Sequence, residues 1–337
     1  MKKIIIILLT VIAVSFTTSC NESTKTVYLY IYDMKDPFME DYANAILEYA
    51  EGNFHVELFD AQNSQIIQNE EIEEGLENNP DLIIVNPVDR LGAYTIVNKV
   101  KESGIPVIFI NREPLASDLI SYDKAYYVGA VASQSGIFQA EIIDNLFGNN
   151  PLNLNEFDLN DDNIIQTVIF KGEQSHQDAE LRTEFVQSTL IDLGYTIDVL
   201  SIQTADWNMQ NAYLLAKNIL IDYGEQIELV ISNNDAMALG VIQAMVELNY
   251  IEDSNLDGKI QKDTEAWVPV IGIDGIHEAL EKLENGYLYA TIKNDSDAQA
   301  VAVIQLSVSI LNNTDFISTA FNLVDGKYIW VDYQKEY

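Results

Sequence analysis

The chain reads as an α/β protein with mostly parallel sheets arranged in two lobes. Three observations predict this: short β-branched runs alternate with amphipathic helical stretches, the runs are apolar almost throughout, and 337 residues exceed what one core usually organises. Strands are expected at Val27–Tyr32, Val56–Phe59, Leu82–Val85, Val107–Ile110, Ile165–Phe170, Ile197–Ile202, Leu229–Ile231 and Val268–Ile273. Most precede a helical pattern such as Tyr42–Tyr49. Strands without polar alternation are covered on both faces, as in parallel sheets flanked by helices. The stretch Arg112–Tyr126 lacks helical periodicity and carries Pro114, so a crossing between lobes is expected just after it.

The amino terminus carries Lys2 and Lys3, then the apolar run Ile4–Phe16, then Thr17-Thr18-Ser19-Cys20. That run is too short for a finished transmembrane helix and matches an export signal with a lipobox-like end. Cys20 is the sole cysteine, so no intrachain disulfide can form. Following small residues, it reads as a lipid acceptor; the bland alternative is a secretory signal in which Cys20 is incidental. Residues 1–20 are therefore read as a lipoprotein signal peptide and 21–26 as a polar tether. The product is expected to be exported, either lipid-anchored to the outer face of the cell membrane or periplasmic.

A net charge of −35 repels phosphate backbones, which removes nucleic acid from the expected partners.

Asp158-Leu-Asn160-Asp-Asp162-Asn-Ile164-Ile-Gln166 places oxygen side chains at loop positions 1, 3, 5 and 9, the spacing of an EF-hand loop. Position twelve is Ile169, inside a strand, where a bidentate Glu is needed. The segment is thus either a plain acidic turn or a loop closed by a distant carboxylate. Residues 252–264 carry Asp253-x-Asn255-x-Asp257-Gly258 and read as an acidic insertion.

Ligands of open α/β sheets sit beyond the carboxyl ends of strands. The residues there are Asp36 and Phe38, Asn111, His176, Asp178 and Arg182, Trp207, Asn234, Asp274 and Asn294. Planar amide, carboxylate and guanidinium groups can each bond two vicinal hydroxyls, and aromatic rings cover the C–H faces of a sugar. Singly, Asp36, Asp274 and Asn294 could cap helices, Asp178 and Arg182 could be an i, i+4 surface pair, Trp207 could be core, and His176 could be a satisfied loop residue. Their common position along the same sheet edges favours a carbohydrate site.

Several segments carry a closer resemblance: Asp36-Pro-Phe38, Val107-Ile-Phe-Ile-Asn111-Arg-Glu-Pro114, Ser121-Tyr-Asp-Lys-Ala-Tyr-Tyr-Val-Gly129, Lys171-Gly-Glu-Gln-Ser-His176-Gln-Asp178-Ala-Glu-Leu-Arg182, Asn233-Asn-Asp-Ala-Met-Ala238 and Gly272-Ile-Asp274. From about Val27 onward the chain resembles the bacterial periplasmic galactose/glucose-binding proteins of sugar ABC import and chemotaxis. The resemblance implies a periplasmic-binding-protein-like type I fold, two doubly wound parallel-sheet lobes joined by a three-segment hinge. Residues 27–130 plus 295–328 would form the N-terminal lobe, and 131–294 plus 329–337 the C-terminal lobe. It also implies that Asp36, Asn111, His176, Asp178, Arg182, Asn234, Asp274 and Asn294 hold sugar oxygens while Phe38 and Trp207 sandwich the ring. A structural Ca2+ in the C-terminal lobe is implied too, held by Asp158, Asn160, Asp162, the carbonyl of Ile164, Gln166 and Glu228. Asn163 stands there in place of the family's Gly, and Ile164 in place of a Gln.

The expected function is delivery of D-galactose, D-glucose or methyl-galactoside to an ABC transporter permease by a monomer, with a chemoreceptor as a further partner. The alternative is a sensor for another hexose or pentose serving chemotaxis or signalling only. An enzyme is not expected: Arg182 beside Asp178 should keep that carboxylate ionised, unlike the proton-retaining acid of a glycosidase. A sugar-responsive repressor would need a basic helix-turn-helix before the first strand, where only tether and signal lie.

Overall fold

The computed structural model describes residues 25–174 and 176–336. The signal peptide, Cys20 and most of the tether lie outside the described residues. All eight expected strands form. In the first sheet these are β1 (Thr26–Ile31), β2 (His55–Asp60), β3 (Leu82–Val85) and β4 (Val107–Ile110), joined by β5 (Ala125–Gly129) and β11 (Tyr328–Trp330) in the order β11-β5-β4-β3-β1-β2, every pairing parallel. In the second they are β6 (Ile165–Lys171), β7 (Ile197–Thr204), β8 (Leu229–Ser232) and β9 (Val270–Ile271), in the order β7-β6-β8-β9. A further strand, β10 (Thr291–Lys293), extends this sheet through parallel bridges at Ala290 and Lys293 and pairs antiparallel with β12 (Gln334–Glu336).

The helices are α1 (Pro37–Ala50), α2 (Gln65–Glu77), α3 (Ala93–Ser103), α4 (Ala116–Ile120), α5 (Ala132–Leu146), α6 (Gln177–Asp192), α7 (Met209–Tyr223), α8 (Asp235–Glu247), α9 (His277–Glu284) and α10 (Ser296–Leu311). Their packing in pairs, α1 on α10, α5 on α6 and α7 on α8, sets small residues at the contacts. A Cβ on Gly136 would come within 2.8 Å of the Arg182 carbonyl, and one on Gly240 within 2.1 Å of the Met209 carbonyl. β3 and β8 are wholly buried within their sheets.

Two local expectations need correction. The stretch Arg112–Tyr126 holds the short helix α4 and the start of β5, whose run of tyrosines reads weakly because Tyr126 faces outward. The crossing follows Gly129, where β5 ends. The expected assignment of 329–337 to the C-terminal lobe places its start too early. β11 pairs with β5 through Trp330, where Trp330 stacks on Tyr328 at 5.5 Å and meets Tyr127 edge-on at 5.2 Å. Aromatic packing on the N-terminal sheet therefore holds the chain there until after Trp330, beyond which Tyr333 packs in the core of the other lobe and 334–336 pair with β10. The chain crosses between lobes three times, after β5, after β10 and after β11.

Candidate sugar and metal sites

The strands of both sheets end at one cleft, lined by Tyr32, Asp36, Phe38, Asn111, Arg112, His176, Asp178, Arg182, Trp207, Asn234 and Asp274, with about 340 Å³ of empty space between them. Nine of the ten predicted residues are in that lining. Asn294 is not: its carbonyl oxygen accepts from Gln299 at 2.6 Å and its amide supports Asp274, which places it one layer behind. A roomier depression of about 1240 Å³, edged by Lys25, Lys124 and Asp315, lies at the opposite strand ends of the N-terminal lobe and gathers none of the predicted residues.

Several side chains cap a helix and line the cleft at once. Asp36 caps α1 by accepting from Phe38 N (3.0 Å), and its other oxygen accepts from the Tyr32 hydroxyl at 2.6 Å. His176 caps α6, its Nδ1 accepting from Asp178 N at 3.1 Å, and Asn234 caps α8, accepting from Met237 N at 2.9 Å. A capping bond fixes the rotamer, so the free face of each group is already aimed. Asp274 and Asn294 cap nothing: α9 begins without a side-chain cap and Asp295 caps α10. Backbone strain does similar work at Asn111 (φ 58), Asp274 (φ 123) and Trp207 (φ 61), where non-glycine residues sit at positive φ. Trp207 lies against Gly172, where a Cβ would come within 2.2 Å of the indole, and meets His176 edge-on at 5.1 Å.

Arg182 is the centre of the site. It is 3% exposed, donates through Nη1 to the Asn233 carbonyl (2.7 Å) and through Nη2 to the Tyr333 hydroxyl (3.0 Å), and lies 3.6 Å from Asp178 and 3.8 Å from Asp274. Its Nε has no partner. Burial alone would lower its pKa, yet Tyr333, Asp274 and Asp178 together push it up, so the guanidinium stays charged.

Arg182 and Arg112 both draw the Asp178 pKa down. Burial is the larger influence and raises Asp178 despite Arg182 and Arg112. Asp36 is raised by burial as well, and Asp274 goes well above its ordinary value for the same reason, with Asp235 and Asp36 adding to the push.

Arg112, which the sequence reading did not single out, packs its guanidinium 3.9 Å over the Tyr32 ring and pairs with Glu173 across the lobes at 3.2 Å. Gln177 reaches Glu113 beside it at 2.9 Å. Tyr32 and Asn86 were missed too. Asn86 is fully buried, and its amide holds the Asn111 side chain at 3.2 Å. Only their adjacency to strand ends in Val27–Tyr32 and Leu82–Val85 could have flagged them.

The loop 158–166 closes on itself and on Glu228. Asp158 accepts from Asp162 N and Asn163 N, and Asn163 adopts φ 62, the conformation a glycine would supply. Glu228, 3% exposed, accepts from Leu159 N (2.6 Å) and Gln166 N (3.1 Å), spanning both ends of the loop. Among the described residues no three Asp, Glu, His or Cys side chains form a ready cage, because here the carboxylates turn onto backbone amides. The donor set still fits a hard cation. Gln166 Oε1 is buried without a partner, and burial, with Asp158 and Asp162 nearby, raises Glu228. The insertion 252–264 is a self-capped turn in which Asp253 accepts from Gly258 N at 2.7 Å and Glu265 accepts from Ser254 N at 2.8 Å.

Fold and site together define a two-lobed cleft protein with polar groups from both lobes converging on one cleft. The chain belongs to the family described as the periplasmic binding protein domain, whose model matches residues 27–315. It is 36% identical over 289 residues, 83% of this chain and 79% of the other, to the D-galactose/methyl-galactoside binding periplasmic protein of Haemophilus influenzae. Among solved structures it is similar to an ABC transporter solute binding protein from Bacillus halodurans with bound myo-inositol (TM-score 0.74, 26% identity, 93% of this chain and 94% of that one). A second is an ABC transporter periplasmic solute binding protein from Actinobacillus succinogenes with bound D-allose (TM-score 0.73, 20% identity, covering 92% and 96%), which supports the fold.

Burial lowers the His176 pKa well below its ordinary value, with Arg112, Arg182 and Arg90 acting in the same direction. The unfolded chain therefore binds this proton more readily, and the residue costs stability as pH falls below about 6.5. Compared with His176→Asn, the wild-type protein should lose melting temperature progressively from pH 7.5 to pH 5. A difference between the two proteins that stays constant over that range would contradict the assignment.

Proposed function

We propose that the chain is the substrate-binding component of a sugar ABC importer, holding D-galactose or D-glucose between its lobes and delivering it to a permease. The observation that carries this reading is the buried, charged Arg182 with its unpartnered Nε, set between Asp178 and Asp274 and beside Trp207. A buried donor gains most from an acceptor that brings donors of its own, and a sugar hydroxyl does both. Asp36 and Asn111 add acceptors from the other lobe, while Phe38 and Trp207 supply apolar faces. The printed name of the Haemophilus influenzae relative supports galactose and methyl-galactoside as the first ligands to try, and the inositol- and allose-bound neighbours widen the panel. Cys20, as a lipid acceptor, would keep the protein at the membrane beside the permease.

Calorimetric titration with galactose, glucose, methyl-galactoside, allose and myo-inositol tests the reading. Trp207→Ala should weaken binding of the preferred sugar about ten- to a hundredfold while leaving the fold intact, since ring stacking and apolar coverage contribute roughly 1–3 kcal/mol. Binding indifferent to that substitution would remove Trp207 from the site.

Calcium, in this reading, is structural. Asp158, Asn160, Asp162, Gln166, Glu228 and the Ile164 carbonyl would hold it, and it would neutralise an acidic loop within the C-terminal lobe. A ligand of the folded state alone stabilises by mass action. Added calcium should raise the melting temperature, and both chelator and Glu228→Gln should abolish the increase. A melting curve unresponsive to calcium would count against the site.

Because the cleft draws on both lobes, sugar should favour the closed form by its difference in affinity for the two states. Small-angle scattering should show the radius of gyration fall when galactose saturates the protein. An unchanged profile at confirmed saturation would rule out closure as the signal to the permease.

A further inference from the structure

Asp235 is fully buried and is not itself part of the cleft lining. Its Oδ2 accepts from Gly275 N (2.7 Å) and Ile276 N (3.1 Å), and its Oδ1 accepts from the Thr291 hydroxyl at 2.8 Å. The turn it grips is an unusual one, with Asp274 at φ 123 and Gly275 at φ 71. Glycine adopts its φ freely, but an aspartate at φ 123 persists only where surrounding bonds over-determine it. Thr291 opens β10, whose end carries Asn294, and Asn294 N donates to the Asp274 carbonyl at 3.0 Å. Asp235 also follows directly on Asn234, the cap of its own helix. Room for the carboxylate has been kept, since a Cβ on Gly272 would lie 2.0 Å from Oδ1.

We propose that Asp235 is the positioning residue of the C-terminal half of the cleft, tying the Asp274 turn and the β10 strand to helix α8. Through it Asp274 and its supporter Asn294 are preset against Arg182 before any ligand arrives. This rests on the reading that the cleft binds a sugar. A buried carboxylate that served only the core would be equally well satisfied by a turn of ordinary geometry, whereas this one accepts from the two amides that immediately follow a cleft residue. Burial pushes its pKa up to about 7, while the Thr291 hydroxyl, the two amides and Arg182 act in the opposite direction.

The test is a pair of double-mutant cycles read by titration with D-galactose, D-glucose and myo-inositol. Asp235→Asn puts an amide where two N–H groups and a hydroxyl donate, so it should weaken the preferred sugar about tenfold. That loss should nearly vanish in an Asp274→Asn background and persist in an Asp36→Asn background, because Asp36 belongs to the other lobe. A general loosening of the fold would cost the same in both. Thr291→Val, which removes one tie and leaves the carboxylate, should show the same pattern at smaller size and carries the test where Asp235→Asn does not fold. Equal losses in the two backgrounds, or no loss at all, would overturn the proposal. If the wild-type protein binds none of the three sugars, the sugar reading falls and the proposal with it; if it binds one and the variants bind it equally well, only the proposal falls.

Discussion

A charged guanidinium sealed from water needs its surroundings arranged around it, and the C-terminal half of the cleft is arranged around Arg182. Its partners arrive from four parts of the chain: Asp178 one turn earlier on α6, the Asn233 carbonyl after β8, Asp274 after β9, and Tyr333 on the last crossing. Removing an isolated charge from water is expensive unless nearly every donor is matched. These four groups surround the guanidinium, and Nε alone is left without a partner.

The same logic explains why the lobes meet as they do. Arg112 on the N-terminal side is also buried, packed on Tyr32, bonded to the Val88 carbonyl and paired with Glu173. Two cations thus face a cleft that also buries three acids, and the balance of charge depends on both halves being together. Burial raises Asp36, Asp178 and Asp274 alike, so these three acids hold their protons more tightly here than they would in water.

Much of this was legible beforehand, and the misses share a cause. Long apolar runs such as Leu82–Val85 announce strands because burial on both faces leaves no other composition. β10, β11 and β12, three residues each, are too short to show a period, and β5 hides its strand behind tyrosines, one of which faces outward. The direct cleft residues could be read because they follow strands. Asn86, Asp235 and Tyr333 act by holding other residues, and nothing in a local pattern marks a group whose partner lies far along the chain. Asn294 erred the other way, since a strand end places a residue near the cleft but does not decide which layer it occupies.

The position of β11 bears on how the molecule is made. The N-terminal sheet cannot acquire its outermost strand until Tyr328–Trp330 has been synthesised, 328 − 129 = 199 residues after the end of β5, its neighbour. The other lobe waits for 334–336 to pair with β10. Neither lobe can finish folding while the tail is still absent, and pairing between such distant segments is slow to form. A chain wired this way stays incompletely folded during most of its emergence. That delay suits export through a narrow channel, and it makes truncation of the last ten residues a defect of both lobes at once.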